Sequence, residues 1–181
     1  MTGENAPFTD TRFETERLQV KPWQTMFQDP QTRSGSKAAI KALLTPSVTQ
    51  FLPEPMQLDA GSGALEAWIS ARNKESDVLC VRDKRNDHFL GLLILAAFPE
   101  TEKSVTVRLG YFLVEKAWGQ GLATELLKGL VHYCLDQRQS FELLGGVEKA
   151  NGASASVLVK AGFSLVPQQS NEQSETYQLI T

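Results

Sequence analysis

Two glycines one residue apart, Gly119 and Gly121, stand between an apolar run and an amphipathic one. The run Arg108-Leu-Gly-Tyr-Phe-Leu-Val114 reads as a strand from its length and aromatic content. Glu115 to Trp118 is a short polar turn. The apolar positions that follow, Leu122, Ala123, Leu126, Leu127, Leu130, Val131 and Cys134, come in pairs every four residues, the stripe of a helix. Glycines at such a junction leave backbone N–H groups unobstructed, and the helix dipole adds roughly half a positive charge at its start. The chemistry this predicts is pyrophosphate binding. Taken alone, the pair is equally consistent with a tight turn. The chain has no G-x-x-x-x-G-K-[ST] stretch, which excludes a Walker-type loop, and Thr124 stands where a dinucleotide fingerprint has its third glycine.

A second stretch, Asn151-Gly-Ala-Ser154-Ala-Ser-Val-Leu-Val-Lys160-Ala-Gly162-Phe163, predicts a short helix. Asn151 or Ser154 caps its start, Val157, Leu158 and Ala161 form its apolar face, and Gly162 suits a left-handed position after its end. Tyr111…Trp118-Gly-x-Gly-x-Ala-Thr-Glu125 followed by this stretch resembles the GNAT superfamily of acetyl-CoA-dependent N-acetyltransferases. It is most similar to the branch of bacterial Rim-type ribosomal-protein N-terminal acetyltransferases. Thr15-Glu-Arg-Leu-x-Val-x-Pro-Trp23 resembles that branch's first strand. The similarity covers about residues 13 to 181, strongly in the second half and loosely from 24 to 75.

The resemblance implies an α/β fold: a central, mostly antiparallel mixed sheet flanked by helices, with splayed strands forming an acyl-CoA cleft. It implies that Gly119, Gln120, Gly121, Leu122, Ala123 and Thr124 offer backbone N–H groups to the pyrophosphate of acetyl-CoA, with the Thr124 hydroxyl as an extra donor. Phe112, Leu113 and Val114 are implied to lie on a strand freed by a bulge, where they pair with the pantetheine amides as an added strand would. One freed N–H, assigned to Leu113, then faces the thioester carbonyl as an oxyanion donor. Asn151 is implied to hold the pantetheine arm, and Ser154 to sit near the sulfur and protonate the departing thiolate. Each has a plainer alternative: a tight turn, a core strand, a pair of helix caps. Trp118 stands where many members carry Arg or Gln, and reads as a hydrophobic staple ahead of the helix.

Two positions depart from the pattern. Leu158 stands where several members place a tyrosine acid, and Arg108 stands where Rim-like sequences commonly have Glu. The base is therefore open, with Glu172, Glu175 or chains of water as substitutes. Tyr111 stays unassigned, and His88 and His132 read as turn and helix-surface residues. The missing base carries a substrate argument. An N-terminal amine of pKa about 8 is roughly one-tenth neutral at pH 7, whereas a lysine near 10.4 is neutral in ~0.04% of molecules. A site without a strong base favours an α-amine or another weakly basic amine. The implied function is acetyl transfer to a primary amine, a protein N-terminus or a small amine, in a ternary complex. The alternatives are a non-catalytic acyl-CoA-binding or sensing module, and an enzyme that modifies small molecules or antibiotics.

At 181 residues and net charge −3, the chain suits one acidic domain rather than a basic nucleic-acid binder. No apolar run reaches ~18 residues, and the N-terminus lacks a signal peptide's basic and apolar regions, so neither a membrane span nor export is expected. Cys80 and Cys134 each lie inside an apolar run and read as reduced core residues, which favours the cytoplasm. No His/Cys cluster has metal-ligand spacing. Monomer and homodimer are both open.

Residues 1–12 are polar and aperiodic, and are expected to be a mobile arm on a single domain spanning 13–181. Leu18 and Val20 alternate as a strand ending at Pro22. Residues 29–35 read as a loop, with Ser36 capping a helix that runs to Pro46. A helix from about Gly63 and strands over 77–82, 89–98 and 105–111 follow, with a turn at Pro99–Lys103. The helix over 119–137, a strand over 141–147, the Asn151 helix, and strands over 163–166 and 176–180 complete the chain.

Overall fold

The computed structural model describes residues 8–181. Alternation decides its strands. In β4 (Phe89–Thr101), Leu93 and Leu95 bury into one core while Leu92 and Ile94 bury into another, so a nearly continuous hydrophobic run becomes a strand covered on both faces. β5 (Ser104–Leu113) divides likewise, with Val107, Leu109 and Leu113 on one side and Phe112 on the other. The remaining strands are β1 (Phe13–Glu14), β2 (Leu18–Pro22), β3 (Asp77–Asp83), β6 (Ser140–Glu148), β7 (Ser164–Leu165) and β8 (Ser174–Ile180). All eight form one sheet in the order β1-β2-β3-β4-β5-β6-β8-β7. Every pairing is antiparallel except β5 with β6. The expected mixed, mostly antiparallel sheet is the one observed.

A parallel pair needs a crossover, and α4 (Leu122–Leu135) supplies it between β5 and β6. α4 and α5 (Gly152–Lys160) cover one face, burying Leu126, Leu127, Leu130 and Leu158. Each such leucine contributes roughly 1.5–3 kcal/mol on leaving water. The other face carries α1 (Pro30–Leu43), the single turn α2 (Pro46–Thr49) and α3 (Ala64–Glu75), around Trp23, Ile40, Leu43 and Trp68. α5 closes as its glycine predicts. Gly162 has φ +101°, and the N–H groups of Phe163 and Gly162 donate to the carbonyls of Leu158 and Val159.

The structure corrects several expectations. Of the arm expected over 1–12, residues 1–7 lie outside the described residues, and the rest is held. Phe8 is buried against Phe141, with ring centroids 5.4 Å apart, and the buried Thr11 hydroxyl donates to the Tyr133 hydroxyl. The loop expected over 29–35 is the start of α1. Asp29 Oδ1 accepts from the Gln31 N–H at 2.8 Å and Pro30 takes the first helical position, a strong start signal that outweighs Gly35 on the exposed face. Ser36 is no cap, because its hydroxyl donates to the Met26 carbonyl inside the fold. β4 continues through Pro99 to Thr101, where a register shift accommodates the missing proline N–H. The strand expected over 163–166 shortens to two residues.

Cys80 and Cys134 are buried and unpaired. Burial pushes the Cys134 thiol up to about 12, and raises that of Cys80. Among the described residues no helix is long and apolar enough to cross a membrane, and no cluster of His, Cys, Asp and Glu is placed to hold a metal.

Candidate active site

Both motif glycines adopt the left-handed conformation, Gly119 at φ +69° and Gly121 at φ +76°. Those angles turn the chain from β5 into α4, which begins at Leu122 with Gly121 as its cap. Asp29 and Asn151 cap α1 and α5 with side chains, but among the described residues no side chain caps α4. Its first backbone bond is Glu125 N–H to Gly121 O at 3.0 Å, so the N–H groups of Leu122, Ala123 and Thr124 have no carbonyl four residues back. A Cβ on Gly119 would meet nothing within 4 Å. The helix mouth is open, positively polarised and short of acceptors, and it fits a diphosphate.

A clamp from the turn between β1 and β2 holds this mouth. Arg17 Nε bonds Glu125 Oε2 at 2.6 Å, and Arg17 Nη1 donates to the Gln120 carbonyl at 3.0 Å. The Arg17 N–H and the Thr15 hydroxyl both donate to Glu125 Oε1. Burial alone would raise the Glu125 carboxyl, yet the Thr15 and Arg17 donors bring it below the ordinary range. The Thr-Glu-Arg stretch, read with the first strand, is the turn before β2, and its partner Glu125 was not legible. A carboxyl held low contributes stability that is complete above the usual carboxylate range and is lost as pH falls through its depressed value. Glu125→Gln should therefore lose roughly 2 kcal/mol at pH 7, a Tm drop of about 4–8 °C. In melts followed by circular dichroism, wild type and variant should converge once pH falls below the depressed Glu125 carboxyl value. A difference that persists there would contradict the clamp.

The β5–β6 ladder ends at Leu109 opposite Gly145. Beyond it β6 stays paired with β8 through Glu148, and β5 stays paired with β4 through Leu113. The two parallel strands thus separate beside the helix mouth, and Gly110 to Leu113 have no β6 partner. No bulge in β5 causes this: the β4–β5 register is regular from Gly91–Leu113 to Pro99–Val105. The splay comes from β6 following β8 instead.

Strand alternation then sorts the backbone. Val114 N–H donates to Leu90 O at 2.8 Å, so the polar groups of Phe112 point the same way, into the β4 ladder. This corrects the assignment of Phe112 and Val114 as free backbone partners for a ligand. Leu113 and Tyr111 face the gap. The Leu113 carbonyl is engaged by the Trp118 indole N–H at 2.8 Å, and its N–H remains. Trp118 is half exposed, so it is a latch rather than a hydrophobic staple.

Asn151 is the α5 cap, its Oδ1 accepting from Ser154 N–H at 3.1 Å. Ser154 is not a cap. Its hydroxyl lies 3.0 Å from the Tyr111 hydroxyl, across the mouth of the splay. Burial raises the Tyr111 pKa, against a smaller lowering from the Ser154 hydrogen bond. Tyr111 is the residue that sequence reasoning left aside; its one signal was strand parity with Leu113. The substitute bases sit elsewhere. Glu175 accepts from the Tyr177 hydroxyl on β8, beyond β6, and Glu172 is exposed in the loop before β8. Arg108 lies on the opposite face of β5 from Tyr111, exposed, with its guanidinium 5.8 Å from the Phe98 ring centroid. A separate open hollow of about 530 Å³, lined among others by Lys21, Thr25, Arg82 and Phe89, lies beside α1, and no motif residue borders it.

Comparison with known proteins agrees with this geometry. The acetyltransferase (GNAT) domain family matches residues 26–164. The uncharacterized protein YkkB of Bacillus subtilis (strain 168) is 29% identical over 81 residues, 45% of this chain. The match spans about half that protein's length, 46%. An acetyltransferase of the GNAT family from Bacillus anthracis superposes with a TM-score of 0.68 at 13% identity, over 94% of this chain and 98% of that one. RimL, a ribosomal L7/L12 alpha-N-protein acetyltransferase in complex with coenzyme A, superposes with a TM-score of 0.67 at 16% identity, over the same two shares. With its family match running from before α1 into β7, and the splay and open helix mouth in place, the chain belongs to the GNAT family of acetyltransferases.

Proposed function

We propose that this acetyltransferase takes its acetyl group from acetyl-CoA and passes it to a primary amine, by direct attack within a ternary complex. The acceptor is the α-amine of a peptide or protein, or a small amine of similar basicity. One observation carries the reading: an uncapped helix mouth with two left-handed glycines opens beside the point where β5 and β6 part. The backbone N–H groups from Gly119 to Thr124 hold the diphosphate, and the Thr124 hydroxyl adds a donor. Leu113 and Tyr111 line the gap with their backbone, and Asn151 borders it. Bound there, acetyl-CoA supplies an activated acyl carbonyl. Leu113 N–H stabilises the negative charge that develops on the carbonyl oxygen. Ser154 holds a proton for the departing sulfur.

No carboxylate stands on β5 to deprotonate the acceptor, because position 108 is arginine. The amine must arrive largely neutral, which favours an α-amine over a lysine side chain by a factor of ~10² in neutral fraction at pH 7. RimL, a ribosomal L7/L12 alpha-N-protein acetyltransferase, fits that preference.

Arg108 also motivates a second reading, a module that binds acyl-CoA without using it. Calorimetry with coenzyme A followed by a turnover assay across α-amine peptides, lysine peptides and small amines separates the two. The enzyme reading expects micromolar binding and acetylated α-amine peptides, with lysine peptides much slower. Binding with no product from any amine would favour the sensor. A flat titration of folded protein would end both.

A further inference from the structure

We infer that Tyr111 acts through Ser154 as a positioning residue, supplying the proton that Ser154 gives to the departing sulfur; the inference rests on the transfer reaction proposed above. The two hydroxyls are 3.0 Å apart, although 43 residues separate them in sequence. Each is fixed by its own element. Tyr111 sits in β5 opposite Leu93, just beyond the last β5–β6 pair. Ser154 lies in the first turn of α5, its N–H held by Asn151 Oδ1. Among the described residues neither hydroxyl has another partner. Two hydroxyls carry two donor hydrogens, and their mutual bond uses one. With Tyr111 donating, the Ser154 hydrogen is left over at the edge of the gap. Burial keeps Tyr111 protonated through the neutral range, so it stays a donor. Leu158, one turn further along α5, is buried and apolar. The hydroxyl that a helix side chain does not provide here is brought by the strand.

The step balances without further reactants. The acceptor nitrogen bonds the acyl carbon, the carbon–sulfur bond breaks, and its electron pair stays on sulfur. Ser154 gives its proton to that sulfur and takes the one from Tyr111. The acceptor nitrogen releases a proton to water, and water restores Tyr111. The hydroxyl of Tyr111 never touches the sulfur. Its role is to hold the Ser154 hydrogen in the right direction and to refill it.

Tyr111→Phe removes only the hydroxyl, and Ser154→Ala removes the relay. The first test needs no turnover: coenzyme A bound to each protein is titrated by the ultraviolet absorbance of its thiolate. A donated hydrogen bond stabilises the thiolate. The bound thiol should titrate about one pKa unit lower in wild type than in either variant, a tenfold difference in thiolate ratio. Equal values in all three proteins would overturn the inference.

The second test is kinetic. Tyr111→Phe should lower kcat by roughly 10²-fold while the dissociation constant for coenzyme A stays within about twofold. The defect should shrink from pH 7 toward pH 10, where the departing thiolate no longer needs a proton. Adding Tyr111→Phe to Ser154→Ala should cost nothing more, because the two act as one unit. Affinity and kcat falling together at every pH would make Tyr111 a mere brace and overturn the inference. A wild type that shows the thiol shift but acetylates no amine would count against acetyl transfer and for the hydroxyl–sulfur contact.

Discussion

Gly91→Ala should lower the melting temperature by roughly 10 °C and abolish acetyl transfer even in the fraction that remains folded. A Cβ at this position would lie 2.2 Å from the Phe112 carbonyl oxygen, 2.8 Å from Leu113 Cδ2 and 2.9 Å from Leu113 Cα. Two of those three atoms are backbone, so no side-chain rotation relieves the contact. β4 and β5 would have to move apart at Gly91–Leu113, their last pairing, which lies alongside the gap. Overpacking of this kind costs about 3 kcal/mol or more, and at 2–4 °C per kcal/mol that gives the expected shift. The displaced segment carries the Leu113 N–H, so the site is lost with the register. A calorimetric melt and a turnover assay read the two effects separately. A variant that melts within 2 °C of wild type would show that the two strands do not approach so closely in solution.

The second large effect falls on affinity and leaves folding alone. Gly119→Asp should weaken coenzyme A binding by at least ~30-fold at low salt, with the melting temperature unchanged within about 2 °C. Aspartate and asparagine are the residues best able to share glycine's left-handed conformation, and a Cβ here meets only open space. The fold therefore tolerates the substitution. The new carboxylate sits at the mouth of α4, where it faces a diphosphate across a few ångströms. At an effective dielectric of ~20–40 that repulsion is worth roughly 2 kcal/mol or more. Gly119→Asn, similar in shape and uncharged, should bind nearly as wild type. Added salt should narrow the gap between the two variants, because the repulsion is partly exposed. Equal affinities for Asp and Asn would move the phosphates away from Gly119.

What could be read from the chain, and what could not, follows from how far each feature depends on distant residues. The stripe of α4 and the two-sided apolar run of β4 are properties of consecutive residues, so both were visible. Gly119, Gly121 and Gly162 were readable because a left-handed backbone restricts the residue type wherever the rest of the chain goes. The start of α1 was also written locally, in Asp29-Pro30, but the polar cluster up to Gly35 reads more readily as a loop. The splay was expected from a bulge and arises differently: β6 leaves β5 because β8 keeps hold of it. How far a strand stays paired with its neighbour is settled by three strands together, and no single segment records it. The same holds for Phe112 and Val114. They lie in the expected strand, yet parity turns the polar groups of Phe112 and the N–H of Val114 into the sheet, and the Val114 carbonyl accepts from Ala117 N–H in the next turn. Tyr111 with Ser154, and Arg17 with Glu125, are meetings between segments that the sequence keeps far apart.

The Trp118 latch gives the gap a polarity. By drawing off the Leu113 carbonyl, the indole removes the backbone acceptor nearest the opening and leaves the amide hydrogen exposed. An oxygen that gathers negative charge there meets a dipole of one sign, with no competing lone pair close by. The same ring stands at the entrance of the glycine turn, so the strand's chemistry and the turn's geometry share a single fastening. Removing that ring would loosen an electrostatic bias as well as a loop.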